Sequence, residues 1–130
     1  MSGDIAISDL LNKPYELGAR GPDSYDCWGL VMTVYKRMGI DLPDINNLIM
    51  TKRDIIRVMR GHAPVTGFTL YKSEPKNFDI LYDDRKGHVG IIIGTKVLHA
   101  AEGYGVVFMP YDLFMLTNPY ARYYEHSGNT

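Results

Sequence analysis

The stretch Asp26-Cys27-Trp28-Gly29-Leu30-Val31-Met32-Thr33-Val34-Tyr35-Lys36-Arg37-Met38-Gly39 decides the fold expected of this chain. Asp26 suits an N-cap, because its carboxylate can turn toward the N–H groups of Trp28 or Gly29. Leu30, Val31, Val34, Tyr35 and Met38 recur with the spacing of one helical face, and Gly39 follows as a C′ residue. The only cysteine therefore falls in the first turn of a helix with a buried face. Working outward, the segment 13–25 carries Pro14, Gly18, Gly21 and Pro22 and reads as a long loop. Before it, Ile5, Ile7, Leu10 and Leu11 predict a short helix over 5–11. After it, Asp41-Leu42-Pro43 stops the main helix, and 53–60 predicts a second one with Ile55, Ile56 and Met59 inward and a basic, solvated outer face.

Beyond Pro64 the texture changes to short β-like runs at 68–71, 78–82, 88–93, 96–100, 106–109 and 121–125, separated by turn residues. Helices first and strands second predict an α+β fold, with an antiparallel sheet packed on the Cys27 helix. At 130 residues the chain is expected to form one domain, 1–130, burying roughly two-thirds of its extended surface. Hydrophobic residues at 45% and charged residues at 22% exclude a disordered or fibrous chain. Fourteen Lys and Arg against fifteen Asp and Glu leave a charge of −1, which argues against nucleic acid as a partner. The longest apolar runs, 89–93 and 106–109, are far short of the roughly 20 residues of a membrane span. Met1-Ser2-Gly3-Asp4 lacks a basic segment and apolar stretch, so synthesis in the cytoplasm without a signal peptide is expected.

A lone cysteine cannot form an internal disulfide, so its reactivity is the property to consider. A helix N-terminus stabilises a thiolate through its backbone N–H groups and the positive end of the dipole, and Cys27 is expected there. The plain alternative is a small buried core residue. A base changes the balance. His88 opens the most β-like run, directly after the turn-like Asp83-Asp84-Arg85-Lys86-Gly87, where a strand mouth can meet a helix N-terminus. If Gly94 and Thr95 are a two-residue turn, His99 falls opposite Gly90, on the face of His88 and one diagonal step away. Gly90 would leave room for two imidazoles; a turn longer or shorter by one residue would send His99 to the other face. A histidine at a strand end can also be merely structural, and Cys27, His88 and His99 could together bind zinc. No short-spaced ligand pair supports the metal reading. His62 is expected in a loop and His126 in a frayed tail, outside any such arrangement. Tyr104, Tyr120, Tyr123 and Tyr124 read as packing and strand-edge aromatics.

Tyr25-Asp26-Cys27-Trp28-Gly29-Leu30-Val31, followed by Val34-Tyr35, Gly39-Ile40 and Leu42-Pro43, resembles the nucleophile segment of the NlpC-type cell-wall cysteine peptidases. Gly87-His88-Val89-Gly90-Ile91-Ile92-Ile93-Gly94 is similar to their histidine strand, and Val97-Leu98-His99-Ala100 to the strand bearing their third polar residue. Phe78-Asp79-Ile80-Leu81-Tyr82 is similar to the strand that precedes the histidine, and Tyr15, twelve residues before Cys27, matches a tyrosine that lines the site in several members. The likeness covers most of 13–110. Trp28 stands where Ser is commoner, Phe78 stands where Gly is usual, and 44–77 matches little. The tryptophan, the leading Gly18-Ala19-Arg20-Gly21-Pro22 and the absence of a signal or wall-binding repeat resemble the phage-tail branch.

The resemblance implies a papain-like α+β fold and hydrolysis of the peptidoglycan stem peptide, commonly at the D-γ-glutamyl to diaminopimelate bond. It assigns Cys27 as nucleophile, His88 as general base and then acid, and His99 as the residue that orients His88, a Cys-His-His triad. The Cys27 N–H, helped by the Tyr15 hydroxyl, would hold the oxyanion. No metal or organic cofactor is implied. The phage-tail likeness further implies delivery with a virion tail, action in the host periplasm or cell wall, and tail-tip or hub proteins as partners. Two other readings stand beside it: a structural tail-tip or hub protein that keeps the fold without activity, and transacylation or amide hydrolysis of a different substrate.

Overall fold

Asp26 does begin the main helix. Its backbone is extended, and its Oδ1 accepts the Gly29 N–H at 2.6 Å, capping α1, Cys27–Arg37. Met38 closes the helix, and Gly39 follows at φ +86°, a conformation that favours a residue without Cβ. Leu30, Val31, Val34 and Tyr35 form its buried face, as the spacing predicts. This computed structural model describes residues 5–44, 68–70, 74–83, 85–126 and 128. The expected helix 53–60 and His62 lie outside the described residues, as does most of the weakly matching segment 44–77.

Six strands form one antiparallel sheet among the described residues: β1, Phe68–Leu70; β2, Ile80–Asp83; β3, His88–Ile93; β4, Lys96–Ala101; β5, Gly105–Pro110; and β6, Arg122–His126. Their order is β1-β6-β2-β3-β4-β5. Strand alternation gives the sheet two apolar faces. Tyr82, Val89, Ile91, Leu98 and Ala100 share a core with α1, while Leu81, Ile92 and Val97 pack with Phe114 on the opposite side. Phe114 belongs to α2, Tyr111–Thr117, which links β5 to β6. The fold is α+β, with α1 on the sheet as expected.

Four local expectations are corrected. Residues 5–11 are not helical: a turn region replaces the helix, with the Leu10 N–H on the Ile7 carbonyl at 2.9 Å and Leu10 buried. The Lys13 N–H turns back on the Leu10 carbonyl at 3.3 Å, and the chain just beyond the segment is tied to β5 through Asn12 N–H to the Val106 carbonyl and Val106 N–H to the Lys13 carbonyl, each 2.9 Å, which leaves no room to continue a helix. The run 78–82 becomes regular only at Ile80, because Phe78 sits at φ +68° with its N–H on the Ile92 carbonyl at 2.6 Å. This is the position where the resembled family has Gly, and the left-handed backbone gives the reason. The Tyr35 hydroxyl donates to the Phe78 carbonyl and holds the bend in place. α2 was not expected. His126 is not in a frayed tail but closes β6, with its ring 5.0 Å from Phe68 and 5.6 Å from Tyr35, centroid to centroid.

Candidate active site

The site gathers around the start of β3. Asp83 shapes the approach: its Oδ1 accepts the N–H groups of Arg85 at 3.0 Å and Lys86 at 3.3 Å, and its carbonyl accepts Gly87 N–H at 2.8 Å. This turn, with Gly87 at φ +64°, presents His88 opposite Asp83. Cys27 comes from the other side. As the first residue of α1 it stands at the positive end of the helix, 6% exposed, with Sγ 3.9 Å from the Gly87 carbonyl oxygen. The thiol thus meets the residue that precedes His88.

The β3–β4 hairpin brings the histidines together. Ile93 pairs with Lys96 and Ile91 with Leu98, so Gly94 and Thr95 are the two-residue turn that the sequence suggests, and His99 continues opposite Gly90. His88 Nε2 and His99 Nδ1 are 2.8 Å apart, with the rings edge to face at 4.9 Å. Gly90 makes this possible: a Cβ there would lie 2.6 Å from Val97 Cγ1 and 3.2 Å from His99 Cβ. Both imidazoles lie on the face that α2 covers. Phe114 stacks on His88 at 6.0 Å and meets His99 edge-on at 5.1 Å.

Burial pushes the His99 pKa down from 6.5 to about 4, so this ring is neutral near pH 7. A neutral His99 shares one hydrogen bond with His88 through Nδ1 and Nε2, and its own Nε2 has no hydrogen-bond partner among the described residues. The bond takes up Nε2 of His88, so Nδ1 is the ring nitrogen that it does not engage. Tyr15 is held half-buried by a parallel bridge to Tyr25. Its pKa rises to about 12, first through burial and then through the negative charges of Cys27, Asp26 and Glu102. The phenol therefore keeps its proton and can donate, beside the thiol.

Next to the histidines runs a cleft of about 530 Å³, walled by Ala101, Val107, Met109 and Leu113, with Glu102 and Tyr104 also lining it. Among the described residues no group of three His, Cys, Asp or Glu side chains is arranged to hold a metal ion, and no helix is long and apolar enough to cross a membrane. Sequence reasoning overlooked two contributors. Phe114 carries no motif signal. Arg20, which donates to Asp26 Oδ1 at 2.8 Å, was foreshadowed only by the rule that a buried carboxylate needs a partner.

Helix, sheet and site together define a papain-like α+β domain organised around one cysteine and two histidines. The chain belongs to the NlpC/P60 family, whose model matches residues 12–126. It is 30% identical over 96 residues to a "Probable endopeptidase" of Mycobacterium tuberculosis, and equally to one of Mycobacterium bovis, in each case across 74% of this chain and 22% of the relative. The chain thus spans about a fifth of the length of those relatives. Among solved structures, NlpC2 from Trichomonas vaginalis shares the fold at a TM-score of 0.62 and 23% identity, over 92% of this chain and 44% of that one. An NLP/P60-family protein of Staphylococcus aureus, described as similar to lipoprotein, shares it at 0.57 and 22%, over 92% and 40%.

Proposed function

We propose that this chain is a cysteine endopeptidase that hydrolyses the peptidoglycan stem peptide, at the D-γ-glutamyl to diaminopimelate bond, with Cys27, His88 and His99 as its catalytic set. The observation that carries this reading is the 2.8 Å His88–His99 hydrogen bond at the strand mouth where the Cys27 thiol rests on the Gly87 carbonyl. An imidazole with one nitrogen engaged by a neutral acceptor is oriented for proton transfer at the other. His88 Nδ1 takes the thiol proton, and Sγ attacks the carbonyl carbon. The oxyanion meets the Cys27 N–H and the Tyr15 hydroxyl. His88 then gives its proton to the departing amine, leaving a thioester; water, deprotonated by the same nitrogen, releases the acid and restores the thiol. His99 stabilises the imidazolium of both steps as hydrogen-bond acceptor without itself changing charge.

The endopeptidase designation of the mycobacterial relatives supports the reaction class. The phage-tail setting, with action in the host periplasm or wall and with tail-tip or hub proteins as partners, rests on the likeness of Trp28 and of the run 18–22 to that branch. A mass-spectrometric digest of diaminopimelate-type peptidoglycan by the wild-type chain and by Cys27→Ala tests the proposal. New stem-peptide fragments from wild type alone, cut at the D-γ-glutamyl bond, are expected. Equal fragments from both proteins, or none from either, refute it.

A further inference from the structure

The reaction needs Cys27 as a thiolate, yet the residue before it is a carboxylate that is 1% exposed. An adjacent negative charge in a poorly hydrated site holds a thiol protonated. The structure shows what opposes this. Arg20 Nη1 donates to Asp26 Oδ1 at 2.8 Å and to the Ala19 carbonyl at 3.1 Å, while its Nε donates to Asp44 Oδ1 at 3.1 Å. Asp26 Oδ1 also receives Gly29 N–H, and Oδ2 receives Gly18 N–H at 2.9 Å. Arg20 is itself held in place by an antiparallel bridge to Tyr25.

The 18–20 loop is therefore laid across the N-terminus of α1. Asp26 N–H donates to the Ala19 carbonyl at 3.2 Å. A Cβ on Gly29 would sit 2.2 Å from that carbonyl and 3.2 Å from Arg20 Nη1, so the absence of a side chain at Gly29 is what admits the loop. Tyr15 feels the negative charges of Cys27, of the N-cap Asp26 and of Glu102 after β4, and His88 follows the Gly87 carbonyl that the thiol meets. Among the described residues Arg20 sets a fixed positive charge against two carboxylates, Asp26 and Asp44, of which Asp26 is the buried one.

We propose that Arg20 is a positioning residue for the nucleophile: by binding Asp26 it cancels the carboxylate's charge at Cys27 and fixes the helix N-terminus, so that the thiol stays acidic. The proposal rests on the reading of Cys27 as nucleophile, and thiol titration separates the two. The rate of Cys27 alkylation by iodoacetamide is followed against pH in wild type, Arg20→Met, Arg20→Lys, Asp26→Asn and the Arg20→Met/Asp26→Asn pair. Removing Arg20 raises the midpoint by about one pH unit, a tenfold loss of rate on the acid side. Arg20→Lys recovers most of the shift, and in the Asp26→Asn background Arg20→Met moves the midpoint no further. A profile for Arg20→Met that superimposes on wild type overturns the proposal, as does an equal shift in both backgrounds, the mark of a merely structural residue. Should Arg20→Met not fold, Asp26→Asn alone decides: a midpoint at or below that of wild type supports the charge argument, and one above it overturns the argument. A wild-type midpoint near the ordinary 8.5 instead removes the nucleophile reading itself.

Discussion

Acid should destabilise this protein through His99 in a window that its burial defines. The ring is 4% exposed, and its pKa falls from 6.5 to about 4 on folding. Between these values the unfolded chain binds a proton that the folded chain refuses, so unfolding free energy rises with pH across the interval. The contribution is complete above pH 6.5, declines as the pH falls, and is lost below about pH 4. At ~1.4 kcal/mol per unit, a separation of 2.5 units amounts to about 3 kcal/mol. Against a typical domain stability of ~5–15 kcal/mol, that is a large fraction. Urea unfolding of wild type and His99→Asn at intervals from pH 7.5 to 4 measures it. Asparagine retains an acceptor for His88 Nε2–H but does not titrate, and the carboxylates common to both proteins cancel in the difference. The wild type should lose about 3 kcal/mol more than the variant across the window. Parallel pH profiles would refute the assignment of a buried, neutral His99.

Alkylation of wild-type Cys27 should persist on a plateau well below pH 8.5, and a rate that tracks an ordinary thiol excludes an activated nucleophile. His99→Ala should leave the thiol alkylatable while lowering turnover of stem peptide about 10²-fold or more; full turnover removes His99 from the set. Tyr15→Phe should lower kcat by about 10²-fold yet leave iodoacetamide alkylation unchanged, because alkylation forms no oxyanion; an unaltered kcat removes the phenol from that role. Gly90→Ala should cost about 1–3 kcal/mol in urea unfolding, because its Cβ meets Val97 and His99 at 2.6 and 3.2 Å; wild-type stability there would mean that the hairpin has slack.

What could be read in advance followed local rules. The Asp26 cap, the 30/31/34/35 stripe and Gly39 are periodic and self-contained, so α1 was legible almost to the residue. The face shared by His88 and His99 followed from counting across Gly94-Thr95, since a two-residue turn fixes parity. What stayed illegible depends on distant contacts. α2 has seven residues, follows Pro110 with no side-chain cap and buries only Phe114, which is too little periodicity to register. The stretch 5–11 has an apolar helical pattern, but it closes in a turn, Leu10 N–H on the Ile7 carbonyl, and the chain right after it, at Asn12 and Lys13, is committed to β5. Arg20 is visible in the sequence only as part of the 18–22 run that resembles the phage-tail branch. Its significance comes from where the chain folds back, six residues before Asp26, and no spacing rule marks that.

The two faces of the sheet give the site an unusual dependence. The thiol belongs to the α1 core and the imidazoles pack on Phe114 of α2, and the two sides approach at the start of β3, where the thiol meets the Gly87 carbonyl. Neither half of the molecule, folded alone, contains both the thiol and the imidazoles. Chemical reactivity at Cys27 is therefore a gauge of whether both layers have assembled. A ligand that bridges thiol and imidazole would fasten them to each other, making two packing units unfold as one.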